Sequence, residues 1–240
     1  MDKYTIMLPV AKNLDLANEC IAHLLKVSPY KICVVDDFGI DTDYVQHDKL
    51  NFIHLQPEKR YGLGKIWNIC IKLCPTERII MASWRPRPEP HHFEIIDTYL
   101  NSGFGMVALE TLHFFALPKS VLFKLGLFDE GFISGQFEDT DFFNRFYMND
   151  IAMYVSNEIV ESSYPTMWPD GSANKIYFDS KWQEQKEINT LTQFKEEENI
   201  KDRELYRKFN GIFKKFSESV LKFEPVRNYY ATFYNKIKAF

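Results

Sequence analysis

Two short apolar runs near the N-terminus restrict the fold more than any other feature of the chain. Thr5-Ile6-Met7-Leu8-Pro9-Val10 has the length and the closing proline of a buried strand, and Lys31-Ile32-Cys33-Val34-Val35 is a second such run. Between them Leu14, Ala17, Cys20, Ile21, Leu24 and Leu25 recur at helical period. Strand, helix and strand with connections this short form a βαβ unit, so the sheet is parallel and the crossover right-handed. The second run ends in Asp36-Asp37-Phe38-Gly39. Parallel sheets bind ligands beyond the carboxyl ends of their strands, which is where Asp36 and Asp37 fall. These acids serve equally well to solvate a turn.

Further strands are predicted at Asn51–Leu55, Arg78–Ala82, Met106–Glu110, Phe114–Leu117 and Ala152–Val155. Tyr61-Gly62-Leu63-Gly64-Lys65-Ile66-Trp67-Asn68 is a glycine-bearing turn opening a helix. Its spacing fits neither a P-loop nor a dinucleotide fingerprint. It offers backbone N–H groups and Lys65 to a phosphate. Ser83-Trp84-Arg85-Pro86-Arg87-Pro88-Glu89-Pro90 is predicted to be an extended loop because of its prolines. His91 and His92, read as part of an extended chain, point apart and make no metal pair. Lys119–Leu125 reads as a helix, and Ser162–Asn174 as a polar loop.

Phe137-Glu138-Asp139-Thr140-Asp141-Phe142-Phe143-Asn144-Arg145-Phe146 carries the densest chemistry. Phe142, Phe143, Phe146 and Tyr147 recur at helical spacing, giving an amphipathic helix with an aromatic core face. Glu138, Asp139 and Asp141 sit at its mouth, where N–H groups lack partners and the dipole is positive. Asp141 and Arg145 stand in the favourable i, i+4 order for an ion pair. On these residues alone, Asp139 reads as the N-cap.

A chain of 240 residues makes one large domain, or one domain with an appendage, and 45% apolar content supplies a core. The net charge of −4 argues against bulk nucleic-acid binding. Cys20, Cys33, Cys70 and Cys74 fit no zinc spacing, and the first three lie among apolar neighbours as small core residues do. With no signal peptide and no bilayer-length apolar run expected, the protein is read as cytoplasmic, at most peripheral to a membrane. Composition shifts near Lys181, which divides the chain into a body, 1–180, and a helical C-terminal extension, 181–240. In the extension Tyr206, Phe209, Phe213, Phe216, Val220 and Phe223 alternate three and four apart, a heptad seam. It suits packing on its own chain, a homo-oligomeric bundle, or contact with anionic lipid or a polyanionic acceptor.

In order, TIMLPV, VVDDFG, GLGKIWN, LGLFDEGF, FEDTDFFNRF and the Phe178 to Trp182 segment resemble family 2 inverting glycosyltransferases of the GT-A fold, over about residues 4–182. The Gly-Leu-Phe-Asp-Glu run followed by Glu-Asp-x-Asp is the most specific part. The resemblance implies an α/β fold with a Rossmann-like, mostly parallel sheet and helices on both faces. It also implies a nucleotide-sugar donor, a UDP-sugar first, and a glycan acceptor. Leu8, Pro9 and Val10 would line the nucleotide pocket, with Asp36 beside them and Asp37 accepting from the base. Lys65, Asn68, Ser83 and Arg85 would also meet the donor, and Trp84, Glu138 and Asp141 the acceptor. Asp139 would be the catalytic base, with Glu138 holding acceptor hydroxyls. Inverting transfer needs such a carboxylate, because the attacking hydroxyl must lose its proton as the anomeric carbon gains oxocarbenium character.

The pattern departs from the family after the fourth strand. There the family carries Asp-x-Asp, which binds Mn²⁺ or Mg²⁺ under the diphosphate, and here Ala82-Ser83-Trp84-Arg85 stands instead. Hard divalent cations want carboxylate oxygens, so no ordinary metal site is expected. Arg85, joined by Arg87 or Lys65, is the expected source of positive charge for the leaving group. Two other classes stay open: an inactive nucleotide-sugar or glycan-binding module, and a nucleic-acid-modifying transferase suggested only by the basic tail.

Overall fold

The computed structural model describes residues 3–10, 14–37, 44–55, 61–110, 112–132, 136–156, 159 and 171–192, with side chains to 182 in the last segment. Their strands are β1 (Tyr4–Val10), β2 (Lys31–Asp36), β3 (Leu50–His54), β4 (Arg78–Ala82), β5 (Met106–Glu110), β6 (Phe114–Pro118) and β7 (Met153–Val155). Their helices are α1 (Leu14–Val27), α2 (Leu63–Leu73), α3 (Pro90–Asn101), α4 (Lys119–Leu125), α5 (Glu138–Met148) and α6 (Ser172–Thr192).

The strands form one sheet in the order β3-β2-β1-β4-β6-β5-β7. β1 pairs in parallel with β2 and β4, β3 with β2, and β7 with β5. β6 runs antiparallel to both β4 and β5, so it alone among the described strands is reversed. The architecture is the expected α/β one, with a mostly parallel sheet covered by helices. β1 reads as a continuous apolar run because both its faces are covered. On one face Tyr4, Ile6, Leu8, Ile80 and Phe114 pack with Ala17, Ile21 and Leu24 of α1 and with Phe93, Ile96 and Leu100 of α3. On the other, Phe115 meets Trp67 of α2 at 5.9 Å.

From β1 the chain winds outward to β2 and β3, then returns to β4 on the other side of β1. That reversal opens a crevice at the carboxyl ends of β1 and β4, where open α/β sheets hold their ligands. α1, α2 and α3 follow β1, β3 and β4, so their N-termini stand at this edge. α5 leads into β7, which enters the sheet at the opposite edge. A Cβ on Gly105, just before β5, would come within 3.2 Å of Phe146, which puts the C-terminal part of α5 at that opposite edge. Its N-terminus therefore rises toward the crevice.

Four local readings need correction. α3 was not anticipated, since Pro-rich Arg85–Pro90 looked like extended chain throughout. Pro90 instead occupies N1, where its missing N–H costs nothing, and Glu89 and His92 exchange side-chain bonds with each other's backbone N–H. His91 and His92 consequently lie in a helical first turn with ring centroids 3.9 Å apart. α5 begins at Glu138 after a left-handed Phe137, so Asp139 is inside the helix and not its cap. Tyr147 is exposed, while Phe142, Phe143 and Phe146 are buried as expected.

All four cysteines are free and buried. The chain divides into two compact units, Met1–Lys175 and Ile176–Phe240. α6 starts at Ser172, inside the stretch read as polar loop. The heptad seam of Tyr206–Phe223, with the oligomer and lipid readings built on it, lies outside the described residues. No helix among the described residues is long and apolar enough to cross a membrane.

Candidate active site

Pro9 and Val10 close β1 at the crevice, and Val10 O accepts from Asp37 N at 2.8 Å. Leu8 and Val10 are fully buried. Asp36 is buried at the end of β2, and its Oδ2 lies 3.1 Å from His54 Nδ1 at the end of β3. His54 stacks on Phe52 in turn. Its role was missed because the β2–β3 register that brings it opposite Asp36 is not written in local sequence. Asp37 is buried one residue further on.

The loop after β4 is fixed by α1. Cys20 Sγ approaches Ser83 O and Pro86 O, and His23 Nε2 lies 2.7 Å from Pro88 O. Arg87 donates through Nη1 to the carbonyls of Trp84, Arg85 and Pro86, and its Nη2 lies 3.7 Å from Glu19. Arg87 thus braces its own loop. Arg85 is buried beside it, its guanidinium 5.3 Å from the Trp84 ring centroid. Lys65 is exposed on α2, over the ring of Tyr61.

Asn68 has a different occupation from the one expected. Its Nδ2 donates to Phe128 O at 2.8 Å and to Glu130 Oε1 at 3.0 Å, and its Oδ1 accepts from Phe128 N at 2.9 Å. Both ends of the amide hold the 128–130 turn, so Asn68 shapes the crevice wall from behind. A Cβ on Gly64 would stand 3.0 Å from Asp129 O, so the same turn needs a glycine there. Phe128 then stacks on Phe142 at 4.0 Å and meets Phe115 at 6.2 Å. Since Phe115 is opposite Met81, this chain of rings ties Phe142 of α5 to β4.

Asp141, expected near the acceptor, is fully buried and belongs to the scaffold. Arg145 meets its Oδ2 through Nε at 3.1 Å and Nη2 at 2.9 Å, while Nη1 donates to Leu125 O and Leu127 O. Asp139 is partly exposed, and its Oδ1 accepts from Thr140 N at 2.7 Å and Thr140 Oγ1 at 3.3 Å. Glu138 is only 4% exposed, and its Oε2 is buried with no hydrogen-bond partner among the described residues. Burial first, then the charge of Asp139, pushes its carboxyl up to about 7, against the pull of the Glu138 and Gln136 backbone amides.

This seat is made by backbone. Gln136 and Phe137 both have positive φ, 80° and 69°, a costly conformation for side chains of that size. The turn is held from outside: Asn174 Nδ2 donates to Gln136 O at 3.0 Å, and a Cβ on Gly171 would run into the Gln136 side chain.

The donor set here does not suit Mn²⁺ or Mg²⁺. Ser83, Trp84 and Arg85 offer no carboxylate after β4, and a buried guanidinium would repel the ion. No group of three His, Cys, Asp or Glu side chains among the described residues is placed to hold a metal. A depression of about 350 Å³ between Val27–Tyr30 and the Pro90–Asp97 stretch of α3 contains none of the expected site residues.

No protein-family model matches the chain, and no curated protein matches it in sequence. Solved structures do match in shape. A mannosyltransferase from Pyrobaculum calidifontis, PcManGT, solved with GDP-Man and Mn²⁺, superposes with a TM-score of 0.55 at 15% identity. The match covers 70% of this chain and 59% of that one. TarS residues 1–349 from S. aureus match with a TM-score of 0.48 at 13% identity, over 65% of this chain and 59% of that one. At such identities the likeness to the mannosyltransferase is one of architecture: the chain has a GT-A-like, Rossmann-type α/β fold.

Proposed function

We propose that the protein is a glycosyltransferase that moves a sugar, with inversion, from a nucleotide-sugar donor to a hydroxyl of a glycan-like acceptor. The observation that carries this reading is the Glu138–Asp139 pair, with one carboxyl raised to about 7, at the head of a helix beside the sheet's switch point. A proton acceptor working near neutrality is what hydroxyl attack requires. The fold shared with a GDP-Man-bound mannosyltransferase supports the donor class. In this reading the nucleotide lies along Leu8–Val10 and Asp36–Asp37, with Ser83 and Arg85 at its diphosphate and Trp84 toward the acceptor. Arg85 supplies the charge that stabilises the departing diphosphate, and a planar fork of donors suits phosphate oxygens.

Thermal shift against UDP-, GDP- and dTDP-sugars tests the reading. A true donor at about a hundred times its Kd stabilises by about 2.7 kcal/mol, which raises Tm by roughly 5–10 °C in a chain of this size. Indifference to every nucleotide sugar would end the proposal. The absence of a carboxylate after β4 favours one rival, a binding module without activity. Donor binding with no turnover, even to water, would decide for that rival.

A further inference from the structure

Asp36 and His54 form a pair whose two members have different surroundings. The Asp36 side chain is fully enclosed, while that of His54 is 46% exposed. β3 runs parallel to β2, so His54, its last residue, lies at the carboxyl edge that holds the crevice. Backbone bonds run along this edge: Leu55 N donates to Asp36 O at 2.9 Å, and Asp37 N to Val10 O at 2.8 Å. The imidazole is held at Nδ1 by Asp36 Oδ2 and beside it by Phe52, whose ring lies within 12° of parallel and is backed by Tyr44. With the carboxylate taking Nδ1–H, Nε2 of the neutral ring is an acceptor, and it points nearly the opposite way. Nε2 has no partner among the described residues.

Resting on the transferase reading, we propose that His54 is a contact for the nucleobase of the donor, its Nε2 accepting an N–H from the edge of the base. β3 stands three strands from β4, roughly 14 Å at ordinary strand spacing. With the diphosphate at the loop after β4, the part of the donor that reaches β3 is its far end, the base. An anchored ring suits that task, because a group fixed by a strand and a buried carboxylate loses little freedom on binding. The resemblance placed Asp36 itself against the donor; its enclosed carboxyl instead acts through His54, as a positioning residue. A histidine that served only to satisfy Asp36 would have no effect on nucleotide affinity, and that difference separates the two roles.

The test uses the full chain, with UDP, GDP and dTDP as probes. By calorimetry, His54→Ala and His54→Phe should both raise the Kd of whichever nucleotide binds by about 3- to 10-fold, since neither keeps a ring nitrogen. Asp36→Asn should weaken binding by a similar factor in the wild-type background and add nothing to His54→Ala. Equal losses in both backgrounds would overturn the coupling of Asp36 to His54. In wild-type protein carrying nitrogen-labelled histidine, the Nε2 resonance of His54 should shift when the nucleotide is added and stay in place with inorganic pyrophosphate, which has no base. A Kd unchanged within about twofold in both His54 variants, or an Nε2 resonance indifferent to bound nucleotide, overturns the proposal and leaves the transferase reading standing. Should the His54 variants fail to fold, the wild-type resonance decides alone. If wild-type protein binds none of the three nucleotides, the transferase reading falls and this assignment with it.

Discussion

Glu138 makes stability depend on pH through one buried carboxyl. Its carboxyl is raised from 4.5 to about 7, so the folded state holds the proton more tightly than the unfolded chain does. The stabilising contribution is therefore complete below pH 4.5 and is lost as pH rises through about 7. A shift of that size corresponds to roughly 3 kcal/mol. Glu138→Gln keeps the shape without the charge, so it should be more stable than wild type above neutrality, by up to roughly 3 kcal/mol, and no better in acid. Urea midpoints at about pH 4 and 8 measure this, and a variant that tracks wild type at both would show that the seat is not dry. Asn68 shows the opposite relation of residue to site. Its type and its place after the glycine turn suggested a nucleotide contact. Its partners are 60 residues away at Phe128, a distance no local pattern reveals. Asn68→Ala should orphan the N–H and the carbonyl of Phe128, at about 1–3 kcal/mol each, and lower Tm even without nucleotide. Unchanged Tm with weakened nucleotide binding would restore the role expected from sequence.

At the scale of the element, α5 was legible in its body and illegible at its start. The aromatic spacing and the Asp141–Arg145 order follow from a 3.6-residue period, so both could be read directly. The first residue could not, because Phe137 takes a left-handed conformation that only its surroundings can enforce. α3 went unread for a related reason: its N3 residue is His92 in place of the usual Glu or Gln, and prolines obscured its start. The Asp141–Arg145 pair is buried, with side chains 0% and 17% exposed, and that fixes how its loss should behave. Asp141→Ala should cost about 3–5 kcal/mol by stranding a guanidinium in the interior. In a unit this size that lowers Tm by roughly 6–20 °C. Asp141→Leu with Arg145→Met should recover much of the loss, since replacing both partners removes the uncompensated charge. Additive losses in that cycle would mean that the two residues do not act as a pair.

Across the whole molecule, a parallel sheet buried on both faces writes its strands as apolar runs, which is why they could be found from residues alone. The reversal of β6 could not, since direction depends on pairing and not on composition. The same sheet sets the terms of the metal question. The carboxyl end of β4 is the point at which the family's carboxylates would meet the diphosphate, and α1 holds that loop through Cys20 and His23 with Arg85 buried in it. If Arg85 takes over the counter-charge, donor binding belongs to the protein alone. UDP binding by wild type should then be unchanged by EDTA and unimproved by added Mn²⁺. Arg85→Ala should weaken it by about 10- to 100-fold, the equivalent of a lost charge-assisted bond of roughly 1.5–3 kcal/mol. Arg85→Lys should recover only part of this, because an ammonium keeps the charge but not the two-pronged geometry. Binding abolished by EDTA, with Arg85→Ala indistinguishable from wild type, would return the diphosphate to a metal held by residues outside this loop.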